Sequence, residues 1–316
     1  MVGGGRLGRP VGAAALLVAA ALGLGGCQLD EVSVALPKDV LLAEAFVLVG
    51  DGEDQATAFL HWTLGTRPVR DLARASVVLV VNDTLEVSLE PEGEAECLMP
   101  GSAERVEGVC FTASPGSEGA IVPGSRLELE VRLGDELELR GRGVIPQDMR
   151  ILRPRLPACA LPPRRNLEIT WARSPGAWAY YAETTIWNLR RALEPMGIEV
   201  EADSIALVGL AISESDTTIM FPREFGIFNR GVLQQEVALA LQEGLPPGAV
   251  AEVTVAALDR NWVNWVRGGS FNPSGAVRIP SLRGDGFGVL GSAVRRNVAI
   301  LGGFPTFTTP SCFMGF

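Results

Sequence analysis

The sequence holds a single histidine, His61, among 316 residues. That scarcity excludes metal sites built on several imidazoles, and any Ser-His-Asp triad would have to use this one ring. No GxSxG elbow supplies a nucleophile, and His61, inside Phe59-Leu60-His61-Trp62, reads as a structural residue of a strand. Positive charge is also short. There are 27 Lys and Arg against 37 Asp and Glu, a formal net charge of -10. Nucleic acid is therefore not an expected partner, because phosphates require a basic face. None of the five cysteines has CxxC or Cys/His spacing, which argues against zinc. No EF-hand spacing follows the acidic turn Asp51, Glu53, Asp54, and no Lys-Ser/Thr follows Gly302-Gly303 to make a phosphate loop. Gly286-Phe287-Gly288-Val289-Leu290-Gly291 spells a dinucleotide fingerprint but lacks a βαβ setting and reads as coincidence. No cofactor and no catalytic residue is expected.

What is present is apolar: 47% of the chain is hydrophobic and 20% charged, enough for a real core. The N-terminus is organised as an export signal. Arg6 and Arg9 form a positive n-region, and residues 11–24 form an apolar stretch too short for a comfortable membrane span. Leu24-Gly25-Gly26-Cys27 resembles the bacterial lipoprotein cleavage box, which implies a signal peptide over 1–26 and lipidation of Cys27. Acyl chains on that residue would anchor the protein to a membrane. Gln28, not Asp, follows Cys27, so the expected location is the outer membrane. The other cysteines, Cys97, Cys110, Cys159 and Cys312, allow three pairings or four free thiols. Cys97 and Cys110 flank a loop suited to a local bridge, and Cys159 would then pair with Cys312.

The mature chain reads as all-β, with two β-sandwich domains: a tether over 27–42, an N-terminal sandwich over 43–145, a Pro-rich linker over 146–163 and a C-terminal sandwich over 164–316. Arg126-Leu127-Glu128-Leu129-Glu130-Val131-Arg132-Leu133 alternates with period two, and after Gly134-Asp135 the alternation resumes, a hairpin signature. The apolar run 77–81 fits a central strand. Pro146, Pro154, Pro157, Pro162 and Pro163 predict an extended connection, because proline cannot donate to a ladder. Beyond it, Trp171, the Tyr180-Tyr181 pair and the Leu245-Pro246-Pro247 turn before a Val-rich strand resemble a fibronectin type III domain with an insertion. Ala251 stands where that family has its corner tyrosine. Residues 189–193 suggest a short helix. Residues 232–242 are ambiguous and favour a strand, since Val237, Leu239 and Leu241 alternate.

The densest signal is Asp259-Arg260-Asn261-Trp262-Val263-Asn264-Trp265-Val266-Arg267, followed by Gly-rich turns and Asn272. Aromatic and Arg anchors dominate binding hot spots, so Arg260, Trp262, Asn264, Trp265, Arg267 and Asn272 are the candidate ligand- or partner-binding residues. The competing reading packs both Trp rings into the core. Cys27, the 127–144 hairpin ending in Ile145-Pro146, Cys159 in its Pro-rich stretch, the Trp171 and Tyr180/Tyr181 strands and the 284–291 Gly run together resemble a group of uncharacterised bacterial outer-membrane lipoproteins, domain-of-unknown-function 4249. The resemblance implies a non-enzymatic accessory lipoprotein, associated with an outer-membrane receptor protein or transport system. The alternatives are a surface glycan or small-ligand binding module and, less favoured, a carboxylate-based secreted hydrolase.

Overall fold

The computed structural model describes residues 38–52, 55–92, 97, 107–113, 121–134, 137–209, 215–226, 233–267 and 279–314. The signal segment, Cys27, Glu53, Asp54 and Asn272 lie outside them.

Seven strands arise where apolar side chains alternate through the first half: β1 (Leu41–Gly50), β2 (Gln55–Trp62), β3 (Ser76–Val81), β4 (Leu85–Glu92), β5 (Gly108–Ala113), β6 (Arg126–Leu133) and β7 (Leu137–Val144). In β6, Leu127, Leu129 and Val131 are buried, while Glu128 and Glu130 meet Arg142 and Arg140 of β7 at 3.0 and 3.5 Å. The expected β6–β7 hairpin is present, in register from Arg126↔Val144 to Leu133↔Leu137. β3 is central, between β4 and β6. The second half holds β8 (Ile151–Arg153), β9 (Ala158–Leu161), β10 (Leu167–Trp171), β11 (Ala179–Trp187), α1 (Leu189–Leu193), β12 (Ile205–Gly209), β13 (Thr218–Phe221), α2 (Gln235–Glu243), β14 (Val250–Leu258), α3 (Arg260–Arg267), β15 (Leu282–Gly284) and the long β16 (Phe287–Gly302).

These strands do not separate into two sandwiches, and the two-sandwich expectation is corrected. Nine strands close into a barrel in the order β1-β2-β5-β4-β3-β6-β7-β15-β16, and β16 returns to β1. The closing pair is parallel, from Leu42↔Phe287 to Gly50↔Arg295. The physical reason lies at the edges. β1 and β7 would end an isolated first-half sheet with unpaired backbone groups, and closure removes both edges. Their partners, β16 and β15, come from the far end of the chain, which local alternation does not reveal. Ala43, Ala45, Ala58, Leu60, Leu79, Phe111 and Leu129 belong to one buried apolar cluster.

The second part of β16 runs beyond its β1 pairing. From Ala293, where the two pairings overlap, to Leu301 it pairs with β14, from Leu258↔Ala293 to Val250↔Leu301, and the sheet continues through β11 to β12. A separate three-stranded sheet, β13-β10-β8, packs near it through Trp171, whose ring meets Tyr180 edge-on at 5.5 Å. The Tyr180 hydroxyl accepts the Ser174 N–H at 2.7 Å. That tie uses a different strand from the one where a corner tyrosine was sought; Ala251 is simply buried in β14. The Pro-rich stretch contains β8 and β9, with its prolines outside both strands, and β9 pairs in parallel with the end of β16.

Residues 235–243 form the helix α2, not a strand. Val237, Ala240 and Leu241 are buried while Leu239 is 54% exposed, the i, i+3, i+4 pattern of a helix face. The short helix expected over 189–193 is present as α1. Two disulfides are made, Cys97–Cys110 and Cys159–Cys312. From Asp39 onward the chain forms one compact unit.

Candidate functional site

The Trp-rich stretch folds as α3, directly after β14. Asp259 starts it. Its carboxylate accepts the Trp262 N–H at 2.8 Å, the N-cap geometry that satisfies an otherwise orphaned donor. Its own N–H donates to the Ser292 carbonyl at 3.0 Å. Asp259 is only 3% exposed, and burial pushes its carboxyl from an ordinary 3.8 up to about 6, against the hydrogen bonds from Trp262 and Ser292 that favour the charged form. Asn261 locks the helix onto the barrel wall, donating to the carbonyls of Arg142 at 2.9 Å and Leu290 at 3.0 Å.

The structure brings Arg260, Trp262, Asn264, Trp265 and Arg267 together on one helix but turns both Trp rings inward. Trp265 is buried with Leu42 and Val289, against Phe46 and Phe287, and its indole N–H donates to Glu44 at 3.0 Å. Trp262 is half-buried, its ring 4.6 Å from that of Phe46. Asn264 is half-buried and Arg267 exposed. Gly291 makes room for this packing: a Cβ there would lie 3.1–3.2 Å from the Phe46 ring and Trp262.

Among the described residues of the set, Arg260 joins an exposed aromatic. Its guanidinium sits 4.9 Å from the Trp178 ring centroid, a cation–π contact. Trp178 is 42% exposed and Val144 55%. With Arg142, Gly176 and Asn261 they line a shallow recess of about 310 Å³, and Asp259 contributes to its floor. An exposed Trp, two Arg and an aliphatic neighbour on a hydrogen-bonded wall can anchor a peptide or protein surface and exclude water around it. Sequence reasoning missed Trp178, Val144 and Arg142. The available signal was Trp178 standing just before an aromatic strand, out of step with its burial pattern.

His61 is half-buried, 5.4 Å from Phe59 on the same strand face. Asp51 of the acidic turn binds Arg296 at 3.0 Å and the Asn297 N–H at 2.9 Å, and Arg296 also pairs with Asp148. The fingerprint-like 286–291 run lies at and within β16. Among the described residues, no helix is long and apolar enough to cross a membrane.

No known protein family matches the sequence, and no curated protein does. Solved structures with a partial likeness include a Salmonella alpha-2-macroglobulin mutant, with TM-score 0.22 and 10% identity over 86% of this chain and 15% of that one. Another is the chicken CNTN1 FN1-FN3 domains, with TM-score 0.17 and 11% identity over 79% of this chain and 66% of that one. This chain spans less than two thirds of either. At such scores neither likeness carries an argument about fold or function.

Proposed function

We propose that the protein is a non-enzymatic, lipid-anchored envelope protein that binds a partner protein through the Trp178–Arg260 recess, as an accessory of an outer-membrane receptor or transport system. The observation that carries the binding reading is the exposed Trp178 ring, stacked by Arg260 and flanked by Val144, on a wall braced by Asn261 and the Asp259 cap. The anchor rests on the cleavage-box residues ending in Cys27 and on the resemblance to the domain-of-unknown-function 4249 lipoproteins. The two disulfides fit an oxidising, exported location. A protein partner is favoured over a glycan because Arg260 occupies one face of the Trp178 ring, where a sugar would stack.

The test is photo-crosslinking in the producing cell. A benzophenone side chain at Val144 should give one discrete protein adduct that disappears with Arg260→Glu. Absence of any adduct from positions 144 and 178 would overturn the binding site. Metabolic labelling with a radioactive fatty acid, lost on Cys27→Ser, tests the anchor separately.

A further inference from the structure

After β16 ends at Gly302, the 303–312 loop presents two phenylalanines to solvent. Phe304 is 75% exposed and Phe307 fully so. Two large apolar rings exposed three residues apart on one loop are an apolar surface available for burial. The loop that carries them is fastened at both ends. The Gly303 N–H donates to Leu161, and the Cys312 N–H and Pro310 carbonyl pair with Ala160. The disulfide fixes Cys312 to Cys159. Within it, the Thr306 N–H donates to the Thr309 carbonyl at 2.9 Å, and the Thr309 N–H returns to the Thr306 hydroxyl at 3.1 Å. The rings are thus displayed by a braced turn, so little ordering entropy opposes their burial in a partner phase.

The end of this loop meets basic residues in a chain whose net charge is -10. The same tail, at Cys312 and Met314, lines a recess of about 840 Å³ with Arg150, Arg153 and Arg155. Glu168 is the acid of that lining, 3.3 Å from Arg153. Met314 is itself exposed. Two projecting rings on a loop whose end, at Cys312, reaches a cluster of Arg match an anionic lipid surface: apolar groups enter the acyl boundary while Arg meets phosphate. A protein pocket is less well matched, because Phe307 is fully exposed, whereas protein hot spots sit in pockets ringed by contacts that exclude water.

We propose that the 303–312 loop is a membrane-contacting wedge that inserts Phe304 and Phe307 into an anionic lipid surface, with Arg150, Arg153 and Arg155 meeting the headgroups. This contact is separate from the Trp178–Arg260 recess and does not need the lipid on Cys27.

The test uses the full chain carrying Cys27→Ser and Phe307→Cys, so that the anchor thiol is absent and the label has one free site. A bimane label at position 307 should be quenched by lipid-borne quencher in phosphatidylglycerol vesicles and far less in phosphatidylcholine vesicles. In the Cys27→Ser background without the label, Phe304→Ser with Phe307→Ser should lower phosphatidylglycerol-vesicle binding at least tenfold, since each buried ring contributes about that factor. Both rings are exposed, so this variant keeps its core, which circular dichroism checks. Arg153→Glu with Arg155→Glu should abolish the preference for the anionic vesicles. An unquenched label, or a double Phe variant that binds like its parent, overturns the wedge. A label that stays unquenched in vesicles while position 307 crosslinks to an envelope protein assigns the loop to a protein pocket instead. Loss of fatty-acid labelling on Cys27→Ser is read independently, so failure of the anchor and failure of the wedge are distinguishable.

Discussion

Asp259 shows how one side chain ties stability to pH. Its carboxyl titrates near 6 in the fold and near 3.8 when unfolded. Because the folded value is the higher one, the folded state binds the proton more tightly, and stability falls as pH rises through the window between those values. The two values differ by about two units, so the full change is at most about 3 kcal/mol. Chemical denaturation should show the protein more stable at pH 4 than at pH 7 through this residue, with other carboxylates acting in the opposite sense. Asp259→Asn keeps an oxygen for the Trp262 N–H and has no charge to bury. It should gain about 1–3 kcal/mol at pH 7 and remove this contribution from the pH profile. Trp265→Phe tests a different link. It keeps a ring in the cluster with Leu42 and Val289 but deletes the donor to Glu44, and should cost about 1–2 kcal/mol in the same assay. The special character of Trp262 and Trp265 was legible in the sequence; their direction was not, because the surface they cover belongs to β1, remote in the chain.

The long strand β16 gives the 286–291 glycines a physical explanation. A Cβ on Gly288 would lie 1.9 Å from the Ala43 carbonyl, and one on Gly286 2.2 Å from that of Leu41. Both obstacles are backbone, so neither can swing aside. The glycines allow the closing strands to approach, and the resemblance to a nucleotide-binding turn is incidental to that need. Gly288→Ala should therefore cost about 2–4 kcal/mol by forcing the β1–β16 seam apart. Gly65→Ala, at positive φ with open space around it, should cost only about 1 kcal/mol. Thermal melts of the two variants make the comparison. The β6–β7 hairpin was readable because its alternation and its Gly134 turn are local. α2 was misread because Val237, Leu239 and Leu241 satisfy a two-residue period as well as Val237, Ala240 and Leu241 satisfy a helical one. Only the surface to be covered decides between them.

For the whole molecule, the two disulfides close loops of very different size, with sequence separations of 13 and 153. On the chain-entropy account the first contributes about 3 kcal/mol and the second about 5. Replacing Cys159 and Cys312 together by Ala should thus lower the denaturation midpoint more than replacing Cys97 and Cys110. It should also release the end of the loop bearing Phe304 and Phe307, which limited proteolysis would detect. Most of the strand content was legible, α2 and the short strands β8 and β9 excepted, but its joining was not. Alternation says which side chains face the core, whereas the pairing of β1 with β16 and of β7 with β15 is set by edges that must be covered. The recess at Trp178 was hidden for the same reason, since Val144, Trp178 and Arg260 come from three separated segments.

The parallel β1–β16 seam also sets a timetable. In a polypeptide delivered N-terminus first, β1 to β7 arrive early and can assemble only as an open sheet, with β1 waiting for a partner that emerges after every other strand. The barrel is sealed by its latest-made piece, so synthesis that stalls before residue 287 leaves behind a sticky, unclosed product for proteases to remove.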